Sequence, residues 1–309
     1  MKNSHTRCAI LNSKWFLEQT TNEEGSFHSL KEIIYAGSSS CQRIEIIQTG
    51  SYGKCLVLDG KIQSTEADEF IYHEALVHPA LIMHRMPKKI LIGGGGEGAT
   101  AREALKHPTI SEIFIVDLDR DVVDLSRQYL KEWHEGAYED KRVKIFFDDA
   151  RRIIGKSDNF DVIILDLPEP FESGPALLLY TKEFYKKVYD CLNKEGVIVT
   201  QAASSAVNNL NVFTAIINTI KQVFPVVRPY IVNVPSFHAP WGFVLASKDK
   251  DPLGLSAEFI KNRLVSLKGE LKFYDYNAHI GIFSLPKYLR EAIEKETTVI
   301  TDSSPISFY

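Results

Sequence analysis

The chain has 309 residues, 44% of them hydrophobic and 25% charged, enough for one large α/β domain with a smaller appendage and ordinary for a soluble globular protein. Its net charge of −4 comes from acidic and basic residues mixed along the chain, so no basic stripe points to nucleic acid or anionic lipid as a partner. Cys8, Cys41, Cys55 and Cys191 form no C-x-x-C pair, which suits neither a disulfide framework nor a zinc site.

In residues 1–15 the only apolar run, 8–11, is too short for a signal-peptide core, and no later run approaches membrane-spanning length, so a cytoplasmic chain is expected. Residues 42–65 alternate apolar and polar in short runs punctuated by Thr49-Gly50 and Asp59-Gly60, which predicts a β-meander. A small N-terminal β domain over 1–66 and a catalytic domain over 67–309 are therefore expected. The second domain opens with a helix from Ala67 to about Met83, closed by Pro87.

Continuous apolar strands then alternate with amphipathic segments: strands over 89–92, 112–116, 143–147, 160–165 and 196–201, helices starting near Gly98, Asp119, Asp149 and Thr181. That order predicts an α/β fold, a doubly wound parallel sheet covered on both faces. A helix over 211–223 leads into 226–234 and 243–246, read as a hairpin closing the sheet edge. His73 and His78 are five apart, about 140° around a helix at 3.6 residues per turn, so they share no metal, and none is expected. Trp133-His134 and His107-Pro108 read as surface or loop residues.

The first strand of the sheet runs into Gly93-Gly94-Gly95-Gly96-Glu97-Gly98 and a helix, where a doubly wound fold binds a nucleotide. Asp117, about 20 residues on at the end of the second strand, can accept hydrogen bonds from ribose hydroxyls. Glu97 decides between ligands. Inside that loop it would repel a pyrophosphate by several kcal/mol at about 4 Å and an effective dielectric of roughly 20, and would attract a cation. A sulfonium nucleoside, S-adenosylmethionine or its decarboxylated form, fits better than NAD. Asp149, or Asp148 beside it, opens the helix after the third strand and can face an adenine amino group or simply cap the helix.

The fourth strand ends in Asp166-Leu167-Pro168-Glu169-Pro170, two carboxylates at the carboxyl edge of the sheet. They suit a substrate with several ammonium groups. The fitting reaction is displacement at the carbon beside the sulfonium by an amine nitrogen. An alkylamine has a pKa of about 10, so a base must take its proton; Asp166 is the candidate, with Glu169 holding a distal ammonium. Phe237 and Trp241 read equally as core aromatics.

These residues, with Leu56-Val57-Leu58-Asp59-Gly60, Gln63-Ser64-Thr65-Glu66, Tyr72-His73-Glu74, Asp117-Leu118-Asp119 and Tyr180-Thr181-Lys182-Glu183-Phe184-Tyr185, resemble the spermidine synthase family over nearly the whole chain. The resemblance implies a class I methyltransferase-type Rossmann-like domain behind the β domain and a homodimer or homotetramer. It also implies aminopropyl transfer from decarboxylated S-adenosylmethionine, a cosubstrate rather than a tightly bound cofactor, with methylthioadenosine as leaving product. By resemblance Asp166 matches the catalytic aspartate and Tyr72 the tyrosine that assists it. Gln42, Gly94, Gly96, Glu97, Asp117, Asp149 and Ala150 match cosubstrate positions; His73, Glu169, Phe237, Trp241 and Trp15 fall on the acceptor side.

Two departures lie on that side: Asp166-Leu167-Pro168-Glu169 replaces the usual Asp-Ser-Ser-Asp or Asp-Ser-Thr-Asp pattern, and His73 replaces a common glutamine. The Asp166-Leu167 form, Gly96-Glu97-Gly98, Met86-Pro87-Lys88, the stretch 234–247 and Glu294-Lys295-Glu296-Thr297 resemble more closely the thermospermine synthases and the thermophile enzymes acting on agmatine, so putrescine, agmatine and spermidine all stand as acceptors. Two competing readings share the pocket. A class I methyltransferase acting on a small amine would need room for the cosubstrate carboxylate, which Glu97 opposes. A non-catalytic polyamine-binding protein would need no Tyr72 and Asp166 pair.

Overall fold

The computed structural model describes residues 14–21, 23–156, 159–170, 174 and 176–307, so Cys8 lies outside the described residues. The chain divides into two compact units, 1–68 and 69–309. In the first, β1 (Trp15–Gln19), β2 (Gly25–Ser38), β3 (Arg43–Thr49), β4 (Lys54–Leu58) and β5 (Lys61–Thr65) form an antiparallel sheet in chain order. The meander thus extends two strands before residue 42. Those strands were illegible because register shifts between Leu30 and Glu32 and between Ile33 and Tyr35 break the two-residue period, and Leu17, Phe27 and Ile33 point outward.

The second unit opens with α1 (Glu69–Met83), then runs β6 (Lys89–Gly94), α2 (Ala99–Leu105), β7 (Glu112–Asp117), α3 (Arg120–Tyr129), α4 (Lys131–His134), β8 (Val143–Phe147), α5 (Ala150–Ile154) and β9 (Phe160–Asp166). It continues with α6 (Lys182–Cys191), β10 (Leu192–Ser204), α7 (Asn211–Lys221), β11 (Val226–Val234), β12 (Ala239–Ser247), α8 (Ala257–Val265), α9 (Tyr276–Ile282) and α10 (Lys287–Lys295). The sheet order is β11-β12-β10-β9-β6-β7-β8. Strands β6 to β10 are parallel, whereas β12 and β11 form the expected hairpin, antiparallel at the edge, so the sheet is mixed. Both faces are buried, which is why the strands read as unbroken apolar runs. Leu91, Ile163 and Leu165 pack with α5, α6, α7 and α10, while Ile90, Ile92, Val162 and Ile164 pack with α1, α2, α8 and α9.

Helix α1 is buried almost all round, unlike a surface helix with one apolar stripe. It nevertheless carries Glu69, His73, Glu74 and His78, and buried ionisable groups require partners. Glu74 meets that requirement by accepting the backbone N–H groups of Lys272, Phe273 and Tyr274, each at 2.8 Å.

Candidate active site

The sheet order turns at β6, whose neighbours are β7 on one side and β9 on the other, so a crevice opens beyond the carboxyl ends of β6 and β9. Gly94 pairs in register with Asp166 there, and the Gly95 N–H donates to the Asp166 carbonyl at 3.1 Å. Gly94 sits at φ 80°, and a Cβ on it would lie 2.1 Å from that carbonyl oxygen; only glycine lets the two strand ends approach so closely. Two residues on, a Cβ at Gly96 would lie 2.6 Å from Asp117 Oδ2. The loop is further clamped by the Tyr138 hydroxyl, which donates to the Gly96 carbonyl at 2.5 Å.

Asp117 ends β7, and its Oδ1 accepts the Asp119 N–H at 2.9 Å. Loss of solvation, with Asp119 and Asp166 nearby, raises its carboxyl to about 6 against the opposing backbone hydrogen bonds. Asp166, at the end of β9, accepts from the Tyr72 hydroxyl on Oδ1 at 2.8 Å and from Thr100 Oγ1 on Oδ2 at 2.5 Å. Burial pushes this carboxyl above its ordinary range, the negative Glu97 adds to that, and the charge on His73 opposes it. A partly buried carboxylate held by two hydroxyls and raised above its ordinary range is suited to taking a proton from an amine.

The residue after Tyr72 reaches a different wall, as a 100° step along a helix requires. His73 Nε2 lies 2.6 Å from Glu97 Oε1, and His73 Nδ1 lies 2.8 Å from Glu69 Oε2. Behind it Arg102 grips Glu69 with two bonds of 3.0 and 2.9 Å and donates through Nε to Glu103 at 2.8 Å. His78 and Lys106 complete the chain on Glu103, at 3.0 and 2.9 Å. An imidazole ring thus stands against Glu97.

Residues 69–253 match the spermine/spermidine synthase domain and residues 14–66 the spermidine synthase tetramerisation domain. A polyamine aminopropyltransferase of Aeropyrum pernix is 45% identical over 307 residues, 97% of each chain. One of Sulfurisphaera tokodaii is 45% identical over 295 residues, 95% of this chain and 97% of the relative. The chain belongs to the spermidine synthase family. Among solved structures, a spermidine synthase in complex with the transition-state analogue AdoDATO superposes with a TM-score of 0.86 at 33% identity, covering 92% of this chain and 96% of the other. The fold is that of the spermidine synthases, and the chain is a transferase of the polyamine aminopropyltransferase type.

Within this spermidine synthase fold, Phe237 and Trp241 join the site as an aromatic wall. Their rings are 4.7 Å apart, and Phe237 lies edge-on 5.9 Å from Tyr72. Glu169 is half-buried in the loop after β9, near enough to Tyr180 to act on its hydroxyl electrostatically. Asp149 is exposed and caps α5 by accepting the Arg151 N–H at 2.8 Å; Ala150 is buried beneath Gly93. Asp148 is engaged by Arg152. Gln42 and Trp15 belong to the N-terminal unit. Gln42 sits in the turn between β2 and β3, and Trp15 is 42% exposed on β1 with its ring 5.3 Å from Phe27.

Some residues were misread or missed. Trp133, His134 and His107 were expected at the surface or in loops; all three are buried, and of them only His107 lies in a loop, after α2. His107 faces His78 at 3.0 Å, and the carbonyl of Trp133 receives Arg102, so both serve the buried charges around α1. Thr100 was missed although a hydroxyl two residues past a glycine loop is a usable signal. Gln201 was also missed: its Nε2 donates to the Leu167 carbonyl at 2.8 Å, and Tyr180 donates to the Pro168 carbonyl at 2.9 Å, strapping the loop that carries Glu169. Beside Gln201 the ladder to β12 shifts register, and Ala203 takes φ 63°, a strained conformation of a kind that gathers at working sites.

Proposed function

We propose that this enzyme transfers the aminopropyl group of decarboxylated S-adenosylmethionine to a primary amine that carries a second cationic group. The pairing of Tyr72 and Thr100 on the two oxygens of Asp166 is the observation that carries this reading. The donor nucleoside lies along the glycine loop, with Asp117 on its ribose and Ala150 and Asp149 toward the adenine. The acceptor nitrogen sits at Asp166 beside the aromatic wall of Tyr72, Phe237 and Trp241, with Glu169 on the distal cation.

In the step itself the amine lone pair forms the N–C bond as the C–S bond breaks. The electron pair of that bond leaves on sulfur, which becomes the neutral thioether of methylthioadenosine. The acceptor's proton passes to Asp166. Burial beside a sulfonium lowers the amine from its usual pKa of about 10, and burial raises Asp166, so the two approach one another. Replacement of the usual pattern after Asp166 by Leu167-Pro168-Glu169, strapped by Gln201 and Tyr180, supports agmatine or a longer polyamine alongside putrescine as acceptor.

The outward Trp15, Leu17, Phe27 and Ile33 of β1 and β2, in a unit that matches a tetramerisation domain, support a homodimer or homotetramer. Cys41, Cys55 and Cys191 as free thiols support a cytoplasmic setting. No helix among the described residues is long and apolar enough to cross a membrane.

The test is a product assay with decarboxylated S-adenosylmethionine and putrescine, agmatine, cadaverine, spermidine or norspermidine offered singly, with products identified by mass. Methylthioadenosine plus one extended amine is expected. Methyl transfer from intact S-adenosylmethionine with no aminopropyl product would contradict the proposal.

A further inference from the structure

We propose that His73 is a positioning residue, a buried imidazolium that fixes one oxygen of Glu97 and balances its charge beside Asp166. The argument starts from donors and acceptors. Nδ1 lies 2.7 Å from the Glu69 carbonyl oxygen and 2.8 Å from Glu69 Oε2, and Nε2 lies 2.6 Å from Glu97 Oε1. A neutral imidazole has one N–H and one bare nitrogen, yet Nδ1 faces the Glu69 carbonyl and carboxylate and Nε2 faces the Glu97 carboxylate, and an ionised carboxylate only accepts. The ring satisfies both contacts only when both nitrogens carry hydrogen.

The carboxylate behind it is held ionised. Burial alone would raise Glu69, but the hydrogen bonds and charges of His73 and Arg102 outweigh that and hold it below its usual range. Arg102 is in turn fixed by Glu103 and by the Trp133 carbonyl at 2.7 Å. Burial likewise opposes a charged His73, and Glu97 and Glu69 together overcome it, which agrees with the geometry. With 1% of its surface exposed and both nitrogens engaged, His73 has no donor left for an acceptor amine. Its influence on the substrates passes through Glu97 and through the field at Asp166.

Besides the Thr100 hydroxyl, the titratable groups that act on Asp166 are Tyr72 and His73 from α1, Glu97 from the glycine loop, Asp117 from β7, and Tyr180. His73 is the one cation among them. Without it Glu97 and the partly buried Asp166 would stand as unbalanced like charges, a condition that favours protonating one of them. This inference rests on Asp166 as the base, but its first test does not.

Neutron diffraction from crystals of the wild-type protein at pH 8 should show hydrogen on both His73 nitrogens; one bare nitrogen would overturn the proposal. The second test is the pH profile of kcat at saturating donor and acceptor for wild type, His73→Gln and His73→Gln/Glu97→Gln. The acidic limb should rise by about one pH unit or more in His73→Gln and return in the double variant, whatever the absolute rates. An unmoved limb in a folded His73→Gln would overturn the charge-balancing role. If that variant does not fold, the neutron result decides alone. A wild-type enzyme that makes no aminopropyl product would instead sink the proposed reaction and leave the neutron result standing.

Discussion

The two walls of the cleft are built by opposite means. Along the sheet edge, shape does the work: Gly94 lets the backbone of β6 meet that of β9 at Asp166, and Gly96 lets the loop close on the Asp117 carboxylate at the end of β7. On the α1 side, charge does the work, through the buried series from Glu97 to His73, Glu69, Arg102 and Glu103. A steric wall tolerates no added atom, whereas a charged wall tolerates changes of shape but not of balance. The two should therefore fail differently.

The sharpest way to expose that difference is Gly94→Ala. Its Cβ would overlap the Asp166 carbonyl in a left-handed conformation, and displacement of this proposed base by even about 1 Å costs near 10²-fold, so a loss on the order of 10²-fold or more in kcat/KM is expected. A loss under tenfold in steady-state kinetics would show that the loop is slack. Next comes Tyr72→Phe, which removes one donor from an ionised carboxylate and should lower kcat by about tenfold or more with little change in donor affinity measured by calorimetry. Unchanged turnover would take Tyr72 out of the chemistry.

On the charged side, Glu74→Ala strips three backbone N–H groups of their acceptor and should cost about 3 kcal/mol in denaturant unfolding, with kcat preserved below the melting range. Loss of activity in a folded sample would mean that α1 transmits strain to the site. The smallest effect is in pH. On the proposed reading Asp117 accepts the ribose hydroxyls as a carboxylate, so donor affinity should be flat above about pH 6 and fall by up to tenfold per unit below it. Isotherms that stay flat to pH 5 would remove Asp117 from the ribose.

The steric wall was also the legible one. Glycines before a helix and an acid at the next strand end are local signals, and the strands carrying them are unbroken apolar runs, so β6 to β9, Asp117 and Asp166 could all be placed from sequence. The charged wall was not legible. Apart from the i,i+4 pair of Glu69 and His73, its long links join residues 24 apart, as in His73 and Glu97, or 33 apart, as in Glu69 and Arg102, and no periodicity links such positions. His107 and Trp133 were misjudged for the same reason: their burial depends on α1, which neither adjoins in sequence. The C-terminal helices were silent because α8 buries only Ile260 and α10 only Leu289 and Ile293.

The claim on which the rest depends is that Asp166 serves the chemical step and not donor binding. Single-turnover kinetics of Asp166→Asn, with the donor dissociation constant measured on the same sample, tests it most directly. The account predicts donor affinity within a few-fold of wild type and a transfer rate lower by about 10²-fold or more. A near-normal transfer rate, or a variant that cannot bind the donor at all, would contradict it.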